Sequence, residues 1–219
     1  MEAFKVSNQL QGLVDAYPGA RLLREVAADG GEVSRIAIAR LWLSEGIPYA
    51  FKDCPGIYEA LRTWLGGRIN VDPKEIYVTG SARLGQSLSP HQVGKQFDEE
   101  SDLDLFIVSE NLFDRMRQDF NSWSYNFENG NINASNPREH KFWQDNIVRG
   151  PRLIARGFID SKLVPNYESY PTIKNIAQSM WLLKGKLDKT ESAPKVSYAT
   201  IRCYRSWEHF VRQTVLSLE

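Results

Sequence analysis

Cysteine is scarce in this chain: Cys54 and Cys203 are the only two in 219 residues. That is too few for a disulfide framework or a cysteine-based zinc site, and it suits a reducing cytosol. Both read as small core residues. The three histidines, His91, His140 and His209, have no metal-ligand spacing. No apolar run approaches the roughly 20 residues of a membrane-spanning helix. The N-terminus, MEAFKVSNQLQGLV, lacks the charged start and apolar stretch of a secretion signal. A soluble, cytoplasmic protein without a membrane partner is expected. Charge of one sign is also missing, since 27 basic and 27 acidic residues balance to +0. No overall positive field would therefore hold a long nucleic acid. One local basic patch remains: NIVRGPRLIARGF brings Arg149, Arg152 and Arg156 close to one helical face. It suits an RNA acceptor, a triphosphate tail or the acids of DEESD. The terminal TVLSLE has no helix stop signal, which reads as a truncated chain with Leu-Glu as a cloning scar.

What is present is enough for one large globular domain, or one domain with a helical extension. FKVSNQLQGLVDAY and GARLLREVAADGG read as short helices, with Leu22, Leu23 and Val26 at helical spacing and Asp29-Gly30-Gly31 as a stop. EVSRIAIARLWLSEG predicts a third helix with Val33, Ile36, Ala37 and Arg40 along one stripe. PGIYEALRTWLGG predicts a buried helix face of Ile57, Tyr58, Leu61, Trp64 and Leu65, ended by Gly66-Gly67. A strand is expected from Ile76 to Thr79, and a second, DLDLFIV, after the polar loop SLSPHQVGKQFDEE. Helical patterns then follow in ENLFDRMRQDFNSWSYNF, in REHKFWQDNIVRGPRLIARGFI with a break at Gly150-Pro151, and in PTIKNIAQSMWLLKGKL. TESAPK is a linker, VSYATIRCY alternates like a strand, and RSWEHFVRQTVLSL closes as a helix. The expected fold is α/β (α+β): a helical extension over 1–54, a small mixed sheet over 55–110, and a mainly helical 111–219 with one late strand, packed on that core.

Two stretches carry chemistry. In YVTGSARLGQ a strand-like run ends in Gly80-Ser81 and continues with helix-compatible residues. Backbone N–H groups at such a turn lack partners and suit an anion, with Gly80 allowing close approach and Ser81 adding a hydroxyl. In EESDLDLFIV, Asp102 and Asp104 stand two apart, so on a strand they share a face while Leu103, Leu105 and Ile107 point to the core. Two adjacent carboxylates repel unless a cation neutralises them, and hard oxygen ligands suit Mg²⁺ or Mn²⁺. The plainer alternative is a solvated acidic strand end, because DEESDLDL holds five acids. The preceding Gly-Ser favours a metal–nucleotide seat instead.

With Gly80, Ser81, Asp102 and Asp104 in this order, the sequence resembles the DNA polymerase beta-type nucleotidyltransferase superfamily over about Ile57 to Val108. Its size and helical flanks are similar to the small bacterial members, some of which act in toxin–antitoxin or phage-defence loci with a cognate protein partner. The resemblance implies transfer of a nucleoside monophosphate from a nucleoside triphosphate to a protein hydroxyl, a tRNA or a nucleotide. Asp102 and Asp104 would be catalytic and hold Mg²⁺ or Mn²⁺, and Gly80 and Ser81 would hold phosphates. Arg83 is a further phosphate contact or a surface arginine. Two departures stand out. Twenty residues separate Ser81 from Asp102, longer than the family's usual gap. The excess loop brings Lys95 and His91 as phosphate or nucleotide contacts, or as ordinary loop residues. The family's third carboxylate is also missing from VSYATIRCY, which offers Arg202 instead, with Arg205 directly after it. Asp160 and Glu208 are the alternatives. A catalytically degenerate nucleotide-binding, sensing or partner-binding module is the competing expectation.

Overall fold

The computed structural model describes residues 3–219. The helices before the sheet are α1 (Asn8–Gln11), α2 (Ala20–Asp29), α3 (Gly31–Leu41) and α4 (Pro55–Ile69). Then follow β1 (Ile76–Val78), α5 (Ser81–Leu84), β2 (Leu103–Val108), α6 (Glu110–Glu128) and α7 (Pro137–Ala155). The chain closes with β3 (Phe158–Asp160), α8 (Pro171–Lys189), β4 (Ala199–Tyr204) and α9 (Trp207–Ser217). The expected mixed α/β class is what forms. The four strands make one sheet in the order β1-β2-β4-β3, with β2 and β4 parallel and both outer pairings antiparallel.

Side chains alternate across this sheet, so each strand contributes to two environments. Leu103, Leu105 and Ile107 of β2 and Ile201 and Cys203 of β4 are buried in the main core, against α4, α6 and α8. Cys54 is only half-buried at the edge of that core. The cluster runs from Phe51 to Cys203, so the chain after residue 110 packs on the same core as the segment before it. A second cluster joins Leu13, Leu23, Ile38 and Leu43 of the N-terminal helices to Leu84 of α5 and Leu218 at the end of α9. The extension is thus seated on the sheet region by both the Gly-Ser helix and the last helix.

Five local expectations need correction. α3 does not bury the stripe Val33, Ile36, Ala37 and Arg40. Val33 and Arg40 are exposed, whereas Ser34, Ile38 and Ala39 are buried, because close contact with α2 and α9 rotates the packed face. Similarly, Leu22 of α2 is exposed while Leu23 is buried. Gly66-Gly67 does not end α4: the helix continues to Ile69, and Asn70 supplies the left-handed cap at φ 56°. Gly66 is buried at a close approach, where a Cβ would lie 2.8 Å from the Val71 carbonyl oxygen. Gly150-Pro151 does not interrupt α7 either. Glycine before proline has no Cβ to meet the proline ring, so the helical conformation survives there. Finally, the segment read as the tail of that helix contains β3, which begins after Gly157 at φ 79°.

Gly150 also packs against Phe120 of α6, and an added Cβ would come within 2.3 Å of the buried ring. Gly150→Ala is expected to destabilise the fold by about 1–3 kcal/mol despite alanine's helix propensity, measured by urea denaturation. A second interhelix feature is Asp119, buried on α6, whose carboxylate accepts from the Ile173 N–H at 2.9 Å and so caps α8 from outside. Burial pushes the Asp119 carboxyl up, against the pull of the Ile173 and Thr172 N–H groups. A carboxyl raised in the folded state stabilises at acid pH and loses that contribution as pH rises through its native pKa. Asp119→Asn keeps an acceptor without the charge. Its stability is expected to exceed wild type near neutral pH and to converge with it at acid pH, in denaturation curves across pH.

Candidate functional site

The sheet face opposite the main core carries Asp104 and Phe106 from β2, Thr200, Arg202 and Tyr204 from β4, and Phe158 and Asp160 from β3. One end of this face is covered by α9: Phe210 stacks on Phe106 with ring centroids 4.2 Å apart, and Tyr204 and Phe158 complete the cluster. The other end stays open and floors a cleft of about 630 Å³. That volume lies within the range of small-molecule sites.

The expected motif residues meet in this cleft. Gly80 has φ 68° and ψ −152°, a conformation that is essentially glycine-only. It turns the chain from β1 into α5, and Ser81 and Ala82 present the first N–H groups of α5, which have no intrahelical acceptor. A Cβ on Gly80 would also sit 3.4 Å from Asp104 Oδ2. The Gly-Ser turn therefore faces the carboxylate directly. Asp104 is half-buried and accepts from Thr200 Oγ1 at 2.6 Å, while the exposed Asp102 accepts from Ser197 Oγ at 2.6 Å. Each carboxylate retains an oxygen not used by these hydroxyls.

The long loop after α5 forms the opposite rim. A Gln86–Gln96 bridge and the Ser87 N–H to Lys95 carbonyl bond close it into a hairpin-like excursion. It is fastened to the N-terminal helices, since the Ala20 N–H donates to Gln86 Oε1 and Arg24 Nε donates to the Leu88 carbonyl. Lys95 is thereby exposed on the cleft wall, whereas His91 is exposed outside it.

The β4 residue opposite Asp104 is Thr200, a hydroxyl and not a third acid. Asp160 lines the same cleft, but β3 lies two strand spacings, about 10 Å, from β2. Its two oxygens accept from Arg202 Nε at 2.6 Å and Nη2 at 3.3 Å. Burial works against the Arg202 charge, yet Tyr204 and Asp160 outweigh it and hold the guanidinium above its ordinary value. Glu208, the other candidate, opens onto a separate groove between α3 and α9. Among the described residues no three His, Cys, Asp or Glu side chains converge as a metal cage. Mg²⁺ needs only one or two carboxylates when substrate phosphates complete its shell. The donor set of Asp102 and Asp104 fits that case.

Arg83 requires a correction. It is 4% exposed and absent from the cleft wall; its Nε donates to the Trp42 carbonyl at 2.9 Å and its Nη1 to the Ile47 carbonyl at 2.8 Å. It is neither a phosphate contact nor a surface arginine, because the chain after α3 has wrapped it. The arginines of α7 and its C-cap keep their helical spacing and have local partners: Arg149 lies over Phe142 and Arg156 bonds to Gln213. Among the described residues no ion pair joins them to the acids of residues 98–102.

Sequence reasoning missed the α9 wall. Gln213, Thr214 and Ser217 lie at helical spacing on the side of α9 that borders the cleft. Their only signal was that spacing, in line with Phe210. Ser197, which holds Asp102, gave none. No protein-family model, curated protein or solved structure matches this chain.

If Arg83 acts only within the fold, Arg83→Met leaves the Trp42 carbonyl without its donor, while Tyr17 still donates to the Ile47 carbonyl, and costs about 1–3 kcal/mol in chemical denaturation. The nucleoside triphosphate affinity of the folded fraction should be unchanged. Loss of that affinity at full stability would return Arg83 to the site.

Proposed function

We propose that this protein is a metal-dependent nucleotidyltransferase that moves a nucleoside monophosphate from a nucleoside triphosphate to an acceptor hydroxyl on a protein, a tRNA or a nucleotide. One observation carries the reading: the glycine-only turn at Gly80-Ser81 and the carboxylates of Asp102 and Asp104 open into the same cleft. A Mg²⁺ or Mn²⁺ ion held by Asp102 and Asp104 would polarise the phosphate and stabilise the charge that develops on transfer. Gly80 and Ser81 hold the β- and γ-phosphates through backbone N–H groups and the Ser81 hydroxyl, and Lys95 offers its ammonium from the loop rim. Thr200 and Ser197 fix the carboxylates by donating to one oxygen of each. The acceptor oxygen attacks the α-phosphorus in line, the bond to the bridging oxygen breaks, pyrophosphate leaves, and the hydroxyl proton passes to solvent.

A second reading has its own support. Thr200 and not a third acid stands opposite Asp104, and Asp160 is engaged by Arg202. Such a site favours binding a metal–nucleotide without transferring it, as a sensor or partner-binding module would.

The two readings separate in one assay, in which the protein is incubated with each α-³²P-labelled nucleoside triphosphate and Mg²⁺ or Mn²⁺, with and without total RNA and lysate. Transfer predicts label on RNA, protein or a small molecule in wild type, reduced at least about 100-fold in Asp102→Asn/Asp104→Asn. Nucleotide binding without label transfer under any condition would select the second reading.

A further inference from the structure

The α9 end of the cleft differs chemically from the phosphate end. It is walled by the uncharged Gln213, Thr214 and Ser217, and the charged Arg202 and Asp160 that line the cleft beside them are paired with each other. A flat, uncharged, hydrogen-bonding ring suits such a wall better than a phosphate does.

One contact at the surface orients Gln213. Arg156 Nη2 donates to Gln213 Oε1 at 2.5 Å. A guanidinium has donors and no acceptor, so the amide oxygen must be the atom turned toward it. Arg156 does not line the cleft, and its guanidinium is held 5.7 Å from the Phe158 ring centroid. The oxygen of Gln213 is therefore committed outside the cleft, and the NH₂ group is what remains for a ligand. Thr214 and Ser217 are hydroxyls, which donate or accept equally. Only Gln213 imposes a choice.

We infer that the α9 end of the cleft is the nucleobase site and that Gln213 selects a keto base over an amino base. The inference rests on the nucleotide reading above. Guanine offers O6 and uracil O4 as acceptors to the Gln213 NH₂, whereas the corresponding groups of adenine and cytosine are amino donors that oppose it. Arg156 acts as a positioning residue, through Gln213.

The test is calorimetric titration of the whole protein with the α,β-methylene analogues of GTP, UTP, ATP and CTP in Mg²⁺, which bind without transfer. Wild type is expected to hold the guanine and uracil analogues about tenfold more tightly than the others. Gln213→Glu, whose carboxylate pairs with Arg156 and offers only acceptors, should reverse that order. Arg156→Ala frees the amide to turn and should bring the four affinities together. Both positions are at the surface, so the variants retain the core, and Arg156→Ala tests the inference even if Gln213→Glu does not fold. An amino-base preference in wild type, or a preference unmoved by these substitutions, overturns the inference and leaves the nucleotide site standing. Failure of all four analogues to bind overturns the nucleotide reading and the inference together.

Discussion

The in-register parallel pairing of β2 with β4 is the constraint on which the site depends. It sets Asp104 opposite Thr200, Leu105 opposite Ile201 and Phe106 opposite Arg202. A slip of β2 by one residue against β4 would turn Asp104 toward α4, α6 and α8 and expose Leu105. Leu103, Leu105, Ile107 and Ile201 are each no more than 2% exposed. Burying such a side chain is worth about 1.5–3 kcal/mol, so the core face fixes the register. The polar face inherits its geometry from that choice, and the bond from Thr200 to Asp104 follows from packing on the opposite side of the sheet.

The N-terminal helices act on the same geometry from the other direction. Arg83 ties α5 to the carbonyls of Trp42 and Ile47, and the loop carrying Lys95 is fastened at Gln86 and Leu88 to α2. Leu84 and Leu218 share a cluster with Leu13, Leu23 and Ile38. The turn at Gly80, the loop rim and the end of α9 are therefore braced by one small core. Weakening that core would move three walls of the cleft at once, since backbone carbonyls and packed side chains hold them.

The sequence made the catalytic-looking half of the cleft legible because its signals are local. Gly80-Ser81 after a β-branched run, and Asp102 and Asp104 at a spacing of two, need only strand periodicity to be placed. The rest depends on contacts distant in the chain. β3 is three residues long and directly follows a helix, so Phe158–Asp160 has too little length to show alternation. Arg83 has the sequence context of a helix-start cation, and only the fold of residues 42–47 around it reveals two carbonyl partners. Gly66 and Gly150 resemble helix breaks but are close-packing positions inside helices, a property of the neighbouring Val71 and Phe120 and not of the glycines. The α9 wall was invisible for a similar reason: Gln213 gains meaning from Arg156, 57 residues earlier.

Magnitudes decide whether the acidic pair needs a cation to exist. Two residues along an extended chain span about 7 Å. At an effective dielectric of about 20, two unit negative charges at that distance repel by about 2 kcal/mol, and less where water reaches them. Each carboxylate accepts a hydroxyl hydrogen bond at 2.6 Å, and a bond to a charged group contributes about 1.5–3 kcal/mol. Ser197 and Thr200 together therefore offset the repulsion without help from outside the chain. The fold and any cation affinity are on this account separable, in contrast to metal sites whose ligands are united only when the ion binds. The strand register holds the carboxylates in place beforehand, and binding free energy at the cleft need not be spent on assembling them.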